Sequence, residues 1–171
     1  MDNTTEPDRL SQKKVKNKIA IILNRNAKKV SKHYIQTFEK LASKYDVLLS
    51  SSSQETETFI KKLAQQGIHT IIAGGGDGTL MNIFNTIHRE YNHFPFRMGI
   101  LKLGTGNALA NLIGANDPDI DLHKMLHNEY ENTYRLPLIG DEQNTFFFGG
   151  LGLDAQILND YMALKDTYKN T

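Results

Sequence analysis

The sequence predicts an α/β fold: a doubly wound, mostly parallel sheet, followed by the start of a β-rich second domain. Three observations carry this. Short apolar runs rich in β-branched residues recur, the first being Ile19-Ala20-Ile21-Ile22-Leu23. A continuous run of that kind fits a strand buried on both faces. Stretches of helical period separate the runs, so strand and helix alternate four times at spacings that suit right-handed crossovers. The length, 171 residues, lies near a prior of roughly 150 residues per domain.

Residues 1–17 read as a disordered polar tail. Lys13, Lys14 and Lys16 cluster there, with Lys18 just after; such a group can touch anionic lipid, but it is also ordinary for a solvated terminus. The first strand, 19–23, is followed by the loop Asn24-Arg25-Asn26. Residues 31–44 read as a helix with Tyr34, Ile35, Phe38, Leu41 and Ala42 on one face. A second strand covers 46–50. The serine run Ser50–Ser53 is placed to cap a helix over 54–66, which Gly67 stops. A third strand, 69–73, turns through Gly74–Gly78 into a helix over 79–90. A fourth, 97–103, turns through Gly104-Thr105-Gly106 into a helix over 107–113.

After Gly114 the pattern changes. Asp117-Pro118-Asp119 is a turn, 120–126 a short helix, and 133–139 and 145–151 two strands about a Gly140-Asp141 turn. Residues 18–132 thus form the α/β domain. Residues 133–171 begin a second domain and are too few for a core of their own. The stretch 155–171 is polar at its end and carries no stop signal, so the chain reads as a fragment or a naturally shortened form. The aromatic run Phe146-Phe147-Phe148 reads as a buried strand packing on the first domain. Tyr91, Phe94 and Phe96 read as packing between elements.

Composition removes several function classes. Twenty Lys+Arg against nineteen Asp+Glu leave +1, which argues against a strongly basic nucleic-acid binder. The absence of cysteine excludes a disulfide framework, a thiolate metal site and a Cys nucleophile. No apolar run approaches the roughly 18 to 20 residues that span a bilayer. The first eighteen residues lack the apolar core of a secretory signal. His123 and His127 stand four apart, a spacing that would share one face if the helix extended to both, but without a third ligand they predict no metal site.

The chemistry concentrates in Ile71-Ile72-Ala73-Gly74-Gly75-Gly76-Asp77-Gly78-Thr79-Leu80. It lies at the carboxyl end of a buried strand and opens a helix, where ligands bind in open α/β sheets. Glycines let backbone N–H groups approach an anion, and the helix N-terminus adds partial positive charge. Thr79 can cap the helix or donate to a phosphate oxygen. Asp77 would repel phosphates unless a cation lay between, and Mg2+ resolves that conflict. Alternatively Asp77 accepts a proton from an attacking hydroxyl. The plain alternative is a tight turn with an Asp cap. The loop lacks the lysine of a Walker A motif and the third glycine of a dinucleotide fingerprint. A second loop, Leu103-Gly104-Thr105-Gly106-Asn107-Ala108-Leu109-Ala110, repeats the strand–glycine–helix arrangement.

Together these two loops resemble the catalytic domain of diacylglycerol kinases, which sphingosine and ceramide kinases share. NAD kinases and 6-phosphofructokinases use a similar glycine-aspartate loop. The resemblance extends to Asn85, to Ala110–Gly114, where Asn111 replaces a usual Arg, and to Gly150-Leu151-Gly152-Leu153-Asp154-Ala155. It implies an ATP- and Mg2+-dependent kinase that transfers the γ-phosphoryl group to a lipid hydroxyl, such as diacylglycerol or a long-chain base. It implies a cleft between the nucleotide-binding domain, 18–132, and a β-sandwich domain. Gly74, Gly75, Gly76, Gly78 and Thr79 would hold phosphates, with Asp77 as base or metal ligand. Gly104, Thr105, Gly106 and Asn107 would line the nucleotide side, and Asp154 the acceptor pocket.

The family's Asn-Pro-x-Ser-Gly after the first strand reads Asn24-Arg25-Asn26-Ala27 here, and its Asn-Glu after the glycine loop reads Met81-Asn82. Acidic residues that the family carries far into its second domain lie beyond Thr171. The implied partners are ATP and a lipid at a membrane surface, at a cytoplasmic location, with a homodimer left open. The competing readings are a kinase of NAD or another soluble substrate, and a non-catalytic nucleotide-binding remnant.

Overall fold

The computed structural model describes residues 18–91, 95–130, 132–142, 144–149 and 152–169. The four apolar runs become four parallel strands, β1 (Ile19–Asn24), β2 (Asp46–Ser50), β3 (Thr70–Gly75) and β4 (Arg97–Lys102). They lie in the order β2-β1-β3-β4. The helices between and after them are α1 (Lys32–Leu41), α2 (Ser53–Gln65), α3 (Asp77–Glu90), α4 (Ala108–Leu112) and α5 (Pro118–His127). The expected doubly wound α/β architecture is present.

Alternation along the strands decides which layer each residue meets. Ala20, Ile22, Ile71, Ala73 and Ile100 face one layer, where Ile60 and Leu63 of α2, Leu80, Ile83 and Ile87 of α3, and Leu109 of α4 cover them. Ile21, Leu23, Ile72 and Leu101 face the other, covered by Phe38 of α1 and Leu122 of α5. Both faces of the sheet are therefore buried, as a parallel sheet requires.

Local signals set the helix starts. The Glu55 N–H donates to Ser52 Oγ (3.2 Å) and the Ser51 N–H donates to Glu55 Oε2 (2.8 Å), a reciprocal arrangement close to a capping box. The serine loop thus caps α2, as expected. Asp117 Oδ1 accepts from the N–H groups of Asp119 (2.9 Å) and Ile120 (3.1 Å), with Pro118 as the first helical residue of α5.

The region after α5 differs from expectation. The strands expected over 133–139 and 145–151 contract, within the described residues, to the antiparallel pair β5 (Ile139–Gly140) and β6 (Thr145–Phe146). Pro137 has no N–H to give a ladder, which limits the first of them. The stretch after Ala155, to which the sequence pattern assigns no element, lies in a helix, α6 (Leu153–Lys169). Its Ala, Leu, Gln, Met and Lys residues are good helix formers. Of the aromatic run, Phe147 packs edge-on against Phe84 at 5.9 Å, while Phe146 and Phe148 are half exposed. Tyr91 and Phe96 do pack together, edge-on at 5.5 Å; Phe94 lies outside the described residues, as does the tail 1–17. The rings of His123 and His127 stack at 4.2 Å, and among the described residues no group of three His, Asp or Glu side chains can hold a metal.

Candidate active site

The chain leaves β1 toward β2 on one side, then crosses back to β3 on the other. The gap beyond the carboxyl ends of β1 and β3 is therefore the topological switch point, where open α/β sheets bind ligands. Register brings the relevant residues level: Leu23 pairs with Gly74, and Asn24 with Ser50. A cleft of about 200 Å³ opens there, lined by Asn24 and Asn26, the Ser50–Ser53 loop, Thr56, Gly78, Thr79 and Asn82. Every lining side chain is a neutral amide or hydroxyl.

Hydrogen bonds tie the cleft wall together. Asn24 Nδ2 donates to Thr79 Oγ1 (2.8 Å), and Asn24 Oδ1 accepts from the Asn26 N–H (2.9 Å). Asn26 Nδ2 donates to the Ser51 carbonyl (3.1 Å), and the Arg25 N–H to the Ser50 carbonyl (2.9 Å). The buried Ser50 and Thr56 hydroxyls share a hydrogen bond of 2.8 Å. The three loops after β1, β2 and β3 thus form one connected wall.

The two glycine loops meet. Gly74 and Gly75 end β3, Gly76 is the extended N-cap of α3, and Asp77 begins that helix. The helix starts two residues before the expected Thr79, so Asp77 stands in its first turn. A Cβ on Gly76 would lie 3.0 Å from Gly104 Cα, and one on Gly104 would collide with Gly76 Cα. Glycine at 104 is required for this crossing, and glycine at 76 relieves it. Asp77 then reaches across it. Its Oδ2 accepts from the Ala108 N–H (3.0 Å) and its Oδ1 from the Leu109 N–H (3.2 Å). The Asp cap considered from sequence therefore exists, but it caps α4 of the second loop rather than its own helix. Each oxygen accepts one N–H in this arrangement and retains a second lone-pair direction.

Asn107 is buried in the left-handed conformation, φ 55°. Its Oδ1 accepts from the Gly104 N–H (2.8 Å) and its Nδ2 donates to the Gly104 carbonyl (2.7 Å). Its amide is spent on holding the loop that Gly104, Thr105 and Gly106 form. Thr105 and Gly106 are exposed at the loop tip. Asp154 lies in the first turn of α6. Asn85 Oδ1 accepts from the Thr145 N–H (2.6 Å) and hydroxyl (3.1 Å), joining α3 to β6.

Sequence reasoning placed the glycine loops together but missed Thr56 and Asn82 as cleft residues. The strand order is what brings them there. Asn82 sits one helical turn after Gly78, a spacing that was legible. Thr56 is reached only through the pairing of Asn24 with Ser50.

Three kinds of comparison bear on this site. The family model "Diacylglycerol kinase catalytic domain" matches residues 18–134. Among curated proteins, a stretch of 57 residues is 46% identical to "Probable lipid kinase YegS-like" of Enterobacter sp. (strain 638), covering 33% of this chain and 19% of that protein. A stretch of 72 residues is 38% identical to "Probable lipid kinase YegS" of Escherichia fergusonii, covering 42% of this chain and 24% of that protein. The chain thus spans about a fifth to a quarter of these relatives' length in the matched regions. Among solved structures, one described as a diacylglycerol kinase from Bacillus anthracis str. Sterne superposes with a TM-score of 0.53 at 21% identity. It covers 67% of this chain and 40% of that one, and its likeness concerns the fold. Among the described residues no helix is long and apolar enough to cross a membrane. The matched region contains both glycine loops and the whole four-stranded sheet, and the chain belongs to the diacylglycerol kinase catalytic domain family.

Proposed function

We propose that this chain carries the nucleotide-binding part of an ATP- and Mg2+-dependent lipid kinase, which transfers the γ-phosphoryl group to a hydroxyl of diacylglycerol or a long-chain base. The observation that carries the reading is the crossing of the two glycine loops beside a switch-point cleft. Gly76 and Gly78 stand at the start of a long helix, where backbone N–H groups favour phosphate oxygens, and Gly74 and Gly75 bring the end of β3 to that point without side chains. Thr79 adds a hydroxyl. Asp77 is the carboxylate at this point, and one carboxylate with phosphate oxygens suffices for Mg2+. The free lone-pair directions of Asp77 fit that use. Bound Mg2+ would offset phosphate charge and polarise the transferred group.

Gly104, Thr105, Gly106 and Asn107 belong to the nucleotide side in this reading, with Asn107 acting through the loop shape that its amide holds. Asp154 belongs to the acceptor side in this reading. Residues 18–132 are the nucleotide domain, and 133–171 open the acceptor domain. The acceptor lipid is met at a membrane surface on the cytoplasmic side.

Titration of the chain with ATP, with and without Mg2+, tests the first part. Binding should require Mg2+ and weaken at least about tenfold in Asp77→Ala, which removes a charged ligand. Transfer from labelled ATP to dioctanoylglycerol, to a long-chain base and to NAD then tests the acceptor. Phosphorylated NAD without lipid product would turn the assignment to a soluble-substrate kinase.

A further inference from the structure

We infer that Asn24 is a positioning residue, which fixes the Thr79 hydroxyl as a hydrogen-bond donor facing the switch-point cleft. This rests on the reading that the Gly74–Thr79 loop holds phosphate, and adds the polarity of one contact to it.

The Asn26 backbone N–H can only donate, and its partner at 2.9 Å is Asn24 Oδ1. That bond identifies which end of the Asn24 amide is oxygen. The other end, Nδ2, can only donate, and it lies 2.8 Å from Thr79 Oγ1. Thr79 therefore accepts at that position, and its own proton must point elsewhere. Among the described residues no protein acceptor takes it, while Asn24 and Thr79 both line the cleft. Gly75 supplies clearance: a Cβ there would lie 2.5 Å from Thr79 Oγ1.

A backbone donor after β1 thus sets an amide, the amide sets a hydroxyl on α3, and the hydroxyl presents its proton to the cleft. A phosphate oxygen, which only accepts, matches that polarity. Asn24 is the residue retained from the family's first loop, and its role here is exerted through Thr79.

A double-mutant cycle on the whole chain tests this, with Mg2+·ATP as the titrated probe. Thr79→Val should weaken binding by roughly tenfold, the loss of a hydrogen bond to a charged group. Thr79→Ser should retain the affinity within about twofold, because the hydroxyl remains. Asn24→Ala, which frees the hydroxyl to rotate, should cost roughly threefold in the wild-type background and nothing further in Thr79→Val. Side-chain amide proton signals of Asn24 provide a check without ligand: one should shift when Thr79→Val removes its acceptor. Unmoved Asn24 signals overturn the inference. Additive losses in a chain that binds Mg2+·ATP overturn the donor role alone. Absence of binding by the wild-type chain, with the Asn24 signals moving as expected, overturns the phosphate reading and the donor role with it.

Discussion

Gly78 and Gly104 come from similar motifs and meet opposite surroundings. A Cβ on Gly78 would touch nothing within 4 Å, whereas one on Gly104 would strike the backbone of Gly76. The two positions therefore separate open space beside the cleft from space that the fold occupies. Gly104→Ala should destabilise the chain by about 1–3 kcal/mol through overpacking. Gly78→Ala, inside a helix, should stabilise it by roughly 0.5–1 kcal/mol while weakening nucleotide binding. Urea unfolding and titration with Mg2+·ATP on both variants check the pair. Equal destabilisation by the two would remove the distinction. The glycine loops themselves were legible as sequence, because their residue types answer a local backbone demand. The tertiary role of Asp77 was not. Its contacts with the Ala108 and Leu109 N–H groups join residues 31 and 32 apart, and nothing in the local pattern marks that pairing.

Elements with their own start signals were the readable ones. The apolar strands and the serine cap of α2 each follow from a few adjacent residues; Asp117-Pro118-Asp119, read as a turn, is instead the capped start of α5, which begins at Pro118. Asp117→Ala should accordingly cost about 1 kcal/mol, since two N–H groups lose their acceptor. Equilibrium unfolding in denaturant measures this, and Asp117→Asn, which keeps an acceptor oxygen, should recover most of it. No change in either variant would mean that α5 is held by Leu122 and Met125 alone. Elements whose stability is supplied from a distance were misread. The β5–β6 pair is only two residues on each strand. Thr145 is anchored by Asn85 of α3, and Phe147 by Phe84. No propensity over 133–151 encodes such anchors, so alternation there suggested longer strands than the fold forms.

At the scale of the whole molecule the chain divides by how its apolar surface is used. Up to α5, the strands and helices bury their apolar residues in two layers around one sheet. In α6, Leu153, Ile157, Tyr161 and Leu164 follow a helical spacing and are 73%, 57%, 58% and 58% exposed. Burial is what stabilises a helix of this length in a protein, because a 17-residue helix is marginal by itself in water. The sheet domain should therefore hold its stability without α6. Removing residues 150–171 should leave the cooperative thermal transition within about 2–4 °C, the shift that about 1 kcal/mol produces in a domain of this size. Helical circular dichroism should fall only by the contribution of α6. Calorimetry on both lengths of chain decides the matter. A large drop in transition temperature would show that α6 supports the sheet domain. An unchanged transition would place the C-terminal boundary of the folding unit before Gly150, in keeping with the proposed domain limit near residue 132.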